Sequence, residues 1–154
     1  MKKLLYILST ALILAACGKD KPVEDKGPSL REQIVGSWHS MSLPVDGDIY
    51  ISLEEGGTFE LYQKIGDGRH HLYRGTWNID EDILTGKYND GEDWAASYKV
   101  DIKDNVLSMT SNNSAAETST YQRSEIPSEV KETCEVVVKS SFGILNSQPQ
   151  YRWL

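Results

Sequence analysis

Three histidines, two cysteines and three tight groups of acids are the side chains of this 154-residue chain with the most chemistry to offer. His70 and His71 are adjacent, and neighbours on a strand point to opposite faces, so they do not converge on one ion. His39 could join one of them across strands, but no cysteine or ligand-spaced carboxylate completes a site, and no metal or cofactor is expected. The acids Glu54-Glu55, Asp80-Glu81-Asp82 and Asp90-Gly91-Glu92-Asp93 fall where the chain turns, which suits solvated hairpins better than a catalytic cleft. The last two groups could hold calcium weakly, without the ligand spacing of a dedicated loop. Gly-x-Ser-x-Gly, His-Glu-x-x-His and phosphate-binding glycine loops are missing. Lys131 to Val138, around Cys134, contains no histidine to activate the thiol, so Cys134 reads as a small buried apolar residue. The chain is expected to bind rather than to catalyse.

Cys17 is different. Lys2 and Lys3 precede an apolar run from Leu4 to Leu14, which ends in Leu14-Ala15-Ala16-Cys17. About eleven residues are too few for a bilayer-spanning helix, which needs roughly 20. Two small residues before a thiol resemble the bacterial lipobox, which implies cleavage after residue 16 and acylation of Cys17. Each buried CH₂ contributes about 0.8 kcal/mol, and one chain alone holds only marginally, so three acyl chains make the attachment permanent. Gly18 rather than aspartate follows the cysteine, so the common inner-membrane retention signal is absent. Lys19-Asp20 with Glu24-Asp25 resembles the export tag of some surface-displayed lipoproteins of Gram-negative bacteria. The expected location is the outer membrane, lipid-anchored and facing outward, with its periplasmic face as the alternative.

Cleavage at residue 16 removes two lysines and no acid, leaving 14 basic against 23 acidic side chains, a net of about −9. Such a body does not suit the phosphates of nucleic acid or docking on anionic lipid, so the acyl group is the expected membrane contact. Residues 17–28 form the lipidated N-terminus and a polar tether bracketed by Pro22, Gly27 and Pro28. Ser29 with Glu32 three positions on forms a capping box and predicts a short helical turn.

From Gly36 the hydrophobic period becomes two. Ile49, Ile51 and Leu53 alternate with Asp48, Tyr50 and Ser52, and after a Glu54–Gly57 hairpin turn the pattern resumes at Phe59, Leu61 and Ile65. Tyr73, Gly75, Trp77 and Ile79 share a face, as do Trp94, Ala96, Tyr98, Val100 and Ile102. Eight short strands follow, near 36–42, 48–54, 57–65, 70–79, 83–88, 94–102, 105–110 and 117–123. The fold class is therefore all-β: an eight-stranded antiparallel up-and-down barrel over residues 29–126, with a short N-terminal helical turn and a C-terminal helix. A two-sheet sandwich is the rival. Within residues 127–154, the C-terminal helix and tail, Pro127 and the spacing of Ile126, Val130, Cys134 and Val137 predict a helix over 127–139 on the outside of the barrel. Val136 to Val138 could instead be strand, since β-branched runs favour it. Tyr151, Trp153 and Leu154 have no predicted element and should dock on the body.

A capped turn followed by Gly36-Ser37-Trp38 on the first strand of an eight-strand meander is similar to the Gly-x-Trp motif of the lipocalins. The whole resembles the short lipocalin-like domains of many bacterial lipoproteins, without the second and third motifs of the longer members. The resemblance implies barrel closure by Trp38, with Arg123 of the last strand packed across it. It also implies a small apolar or amphipathic ligand in the barrel mouth. Tyr73, Trp77, Tyr88, Trp94 and Tyr98 are the candidate contacts, aromatic and on strands that contribute inward faces. An eight-strand barrel is also just wide enough for its own side chains to fill, so these aromatics could equally be core. In that case the barrel would be solid and serve as a protein-interaction or accessory module of a cell-surface complex.

Overall fold

The computed structural model describes residues 27–66, 68–137 and 151–154. The signal segment, Cys17 and most of the tether lie outside the described residues. Helix α1 (Leu30–Ile34) starts at the expected capping box: the Ser29 hydroxyl accepts from the Glu32 backbone N–H, and the Glu32 carboxylate accepts from Ser29 N at 2.7 Å. Ile34 points inward from its last turn and is fully buried.

Eight strands follow: β1 (Gly36–Ser42), β2 (Gly47–Leu53), β3 (Thr58–Ile65), β4 (His71–Asp80), β5 (Ile83–Tyr88), β6 (Tyr98–Lys103), β7 (Val106–Ser111) and β8 (Thr118–Arg123). Each pairs antiparallel with the next, and β8 returns to β1 with Trp38 opposite Arg123, so the sheet closes into an up-and-down barrel. Closure gives each of the eight strands a partner on both sides and so limits the unpaired edges that invite aggregation. The alternation read from the sequence sets the inside: Ile49, Ile51, Leu53, Phe59, Leu61, Leu84, Val100, Leu107 and Met109 fill the core between the strands.

Two elements depart from expectation. Strand β6 begins at Tyr98, four residues later than the alternation implied, so Trp94 is carried by the β5–β6 connection. Asp93 and Trp94 fold back on β5 instead, where Trp94 N–H donates to Gly86 C=O at 2.9 Å. The predicted long helix over 127–139 is also corrected. Helix α2 spans only Ser128–Thr133, and Glu135–Val136 form β9, parallel to the start of β4. Strand β5 pairs with β4 only from Gly75 onward, leaving the edge at His71–Leu72 open. A β-branched segment gains two ladder hydrogen bonds there, Glu135 N to His70 O at 2.8 Å and Val137 N to Leu72 O at 3.0 Å.

Helix α2 does pack on the outer wall. Ile126, Val130 and Cys134 cover Tyr50, Tyr62 and Leu72, which explains why β2 is buried on both faces. Covering a residue such as Ile126 stabilises by about 1.5–3 kcal/mol. Cys134 is half-buried in this contact, and its thiol donates to Lys131 C=O at 3.3 Å.

Candidate functional site

Helix α1 and the Trp38–Arg123 pair close one end of the barrel, and the mouth lies at the other. At the closed end α1 meets the β2–β3 turn. The Arg123 guanidinium lies 4.3 Å above the Trp38 ring and donates to the carbonyls of Val35 and Gln33, while Trp38 Nε1 donates to Ile34 O at 2.8 Å. Gly36 has φ +127°, and a Cβ there would lie 2.3 Å from Arg123 Nη1. The glycine of Gly-x-Trp thus makes room for the arginine that lies over the tryptophan.

Trp77 belongs to this closed end. Its Nε1 donates to Glu54 O at 3.1 Å and Arg31 lies 4.8 Å above its ring. The other four candidate aromatics gather toward the mouth. Trp94 meets Phe59 edge-on at 5.2 Å and Tyr98 at 6.1 Å; Tyr88 meets Phe59 at 5.6 Å and Tyr73 at 5.9 Å. Such edge-to-face contacts add about 0.5–1.5 kcal/mol beyond burial. The Trp94 indole occupies the space that Gly86 leaves, since a Cβ at Gly86 would lie 2.1 Å from Trp94 Cε2. Gly86→Ala should therefore destabilise by about 1–3 kcal/mol through overpacking. A urea midpoint unchanged from the parent chain would refute this seating of the ring. Among the described residues the buried Trp94 Nε1 has no hydrogen-bond partner, and such an orphaned donor costs about 1–3 kcal/mol.

Residues 151–154 enter this aromatic mouth. Trp153 and Leu154 are buried among the core residues, while Tyr151 stays exposed. The Gln63 side-chain amide holds the segment at two points: its Nε2 donates to Tyr151 O, and its Oε1 accepts from Trp153 N at 2.8 Å. Tyr88 Oη donates to Leu154 O at 2.7 Å, Tyr98 Oη to Trp153 O at 3.4 Å, and Trp153 Nε1 donates to Tyr121 Oη at 2.6 Å. Arg152 pairs with Asp90 and, at 3.4 Å, with Glu92, and its guanidinium sits 4.5 Å from the Tyr88 ring centre. The Asp90 carboxylate holds the Arg152 pKa above its ordinary value. Burial pushes the phenols of Tyr73, Tyr88 and Tyr121 up, and that of Tyr98 to about 12, so all four serve as neutral hydroxyls.

The sequence reading missed Gln63, Tyr121, Arg152 and the Asp90–Glu92 pair. Gln63 carried a signal: it is the polar member of the inward series Phe59, Leu61, Gln63 and Ile65, and it is 4% exposed.

The chemistry-bearing histidines sit elsewhere. His39 Nε2 and His70 Nε2 approach the two oxygens of Asp48 at 2.7 and 3.1 Å, and His39 stacks on Tyr50 at 4.2 Å. A carboxylate does join the two histidines, and only the strand register could reveal it. Burial lowers the His70 pKa, against the opposing pull of Asp48. His71 turns away toward Glu135, 3.9 Å distant. Among the described residues no group of three His, Cys, Asp or Glu side chains is placed to hold a metal ion. An open cleft of about 530 Å³ lies on the β4–β5 wall, lined by two of the candidate aromatics, Trp77 and Trp94, with Gly86 between β4 and the connection, and by Thr76, Asn78, Thr85, Lys87, Asp93 and the turn at 95–97.

Among curated proteins none matches the chain. Residues 34–109, from the last residue of α1 to the middle of β7, match the family model of the lipocalin-like domain.

Proposed function

We propose that the chain is a membrane-anchored lipocalin-like lipoprotein, held through acylated Cys17 on the outward face of the outer membrane, whose barrel mouth binds a small apolar or amphipathic ligand. One observation carries the binding half. The mouth accommodates an amphipathic guest, with the Trp153 and Leu154 side chains among aromatic rings and their backbone carbonyls on tyrosine hydroxyls. An orphaned indole donor at Trp94 adds an unused polar handle. Ligand sites of this kind pair a largely apolar lining with a few placed polar groups. The Leu14-Ala15-Ala16-Cys17 motif supports the anchoring half. The His39–Asp48–His70 contacts tie β1, β2 and the β3–β4 connection together. A second reading, a barrel that works through protein contact, draws on the fact that the chain's own residues occupy the mouth.

Two measurements test the proposal. Cys17→Ala should move the protein from the membrane to the soluble fraction, and unchanged membrane fractionation would sink the lipoprotein reading. Native mass spectrometry of the chain from a lipid-containing extract should show a bound small molecule. Tyr88→Phe removes one mouth hydroxyl and should weaken its retention about tenfold, the effect of a hydrogen bond worth roughly 1.4 kcal/mol. A bare mass after incubation with fatty acids, sterols, haem and glycans would favour the protein-contact reading.

A further inference from the structure

The segment in the mouth is bound largely by side chains. Backbone ladders hold any sequence that reaches them, but here the contacts come from the side chains of Gln63, Tyr88, Tyr98, Tyr121, Asp90 and Glu92. The Gln63 amide takes the C=O of Tyr151 and the N–H of Trp153, the two-point pairing a strand neighbour would make across Arg152. Tyr88 and Tyr98 take the next two carbonyls. Three side-chain subsites complete the fit. Asp90 and Glu92 with the Tyr88 ring receive a guanidinium, Tyr121 Oη receives an indole N–H, and the apolar interior receives a leucine. A charge-assisted pair stacked on an aromatic ring discriminates arginine from other residues. Within residues 135–137 the chain is hydrogen-bonded on β4, and residues 138–150 separate that contact from the segment in the mouth.

We propose that the barrel mouth is a peptide-recognition site for the succession aromatic–arginine–tryptophan–aliphatic, which Tyr151–Leu154 fills in cis and a peptide of the same pattern fills in trans when the cis segment is disengaged. It rests on the ligand-binding reading and names the ligand class as peptide. The occupied site is its own competitor, so affinity for an added peptide is reduced by the fraction of chains with the cis segment seated.

The test uses the full chain carrying Arg152→Glu, which sets a carboxylate against Asp90 and Glu92, and acetylated Tyr-Arg-Trp-Leu as the probe. The variant should bind the peptide at least tenfold more tightly than the unsubstituted chain. A peptide with glutamate in place of its arginine should bind at least tenfold more weakly. Near-ultraviolet circular dichroism verifies that the variant is folded, and Arg152→Gln replaces it if it is not. Mixing the variant with a chain carrying Asp90→Arg and Glu92→Arg, whose mouth is disabled but whose segment is intact, distinguishes the peptide's source. A one-to-one complex assigns it to a second copy of this chain; peptide binding without that complex assigns it to another protein. Equal affinity of both chains for the peptide, or no saturable binding to a folded variant, overturns the proposal. Laurate binding in that last case confines the failure to the peptide class, whereas loss of both probes also removes the ligand-binding reading.

Discussion

Trp38→Ala should cost about 3–5 kcal/mol of stability, the range for truncating a fully buried large aromatic, and lower the melting temperature by about 10 °C or more. Three losses coincide at this residue. The indole fills the closed end at 0% exposure, its Nε1 satisfies the C=O of Ile34 at the end of α1, and its face carries the Arg123 guanidinium. The stack alone is worth about 0.5–2 kcal/mol. Arg123→Ala should therefore cost less, about 1–2 kcal/mol, because the guanidinium is exposed to solvent and its carbonyl partners can turn to water. The double variant should cost less than the sum, since both substitutions remove the same stack. Chemical denaturation of the four chains measures the coupling. A Trp38→Ala loss below about 1 kcal/mol, or strict additivity, would contradict this account of the closed end.

The barrel should also unfold cooperatively in alkali, within about one to three pH units above pH 10. Burial raises the phenols of Tyr88, Tyr98 and Tyr121 above their ordinary value, Tyr98 to about 12. The folded state therefore holds these protons more tightly than the unfolded chain does. Their contribution is fully present below pH 10 and is lost as pH rises from there through the folded values. Each such group removes about 1.4 kcal/mol per pH unit, so three together remove about 4. A domain of ordinary stability has about 5–15 kcal/mol to lose. Phenolate absorbance should rise in step with loss of near-ultraviolet circular dichroism. If instead all eight tyrosines ionise smoothly near pH 10 while the dichroism persists, the hydroxyls at the mouth are not buried as described. The same transition bears on the ligand site, because Tyr88 and Tyr98 act there as neutral donors.

Much of this molecule was legible in its sequence, for a local reason. Alternation of side chains along a strand has a period of two, so Ile49, Ile51 and Leu53, or Tyr73 and Trp77, declare their face without knowledge of any partner. Turn chemistry and the Ser29–Glu32 capping box are equally local. Eight strands joined by short turns leave few topologies, and barrel closure follows. The aromatic character of the mouth was legible as well, since Tyr73, Tyr88 and Tyr98 lie on inward faces.

Tertiary structure decided the rest. Trp77 and Tyr73 share a face of β4, yet the barrel axis sends one to the closed end and the other to the mouth. Trp94 left its expected strand because Gly86 offered a space that only cross-strand register creates. The short α2 and the parallel β9 follow from an edge of β4 that β5 leaves open, a vacancy absent from the local sequence. Asp48 meets His39 and His70 by the same register. Above all, residues 151–154 carry no periodicity, and nothing near them in sequence names Gln63, 88 to 91 residues away, as their partner. Contacts of that span arise only when the closed barrel has already placed Gln63, Tyr88 and Tyr121 around one opening.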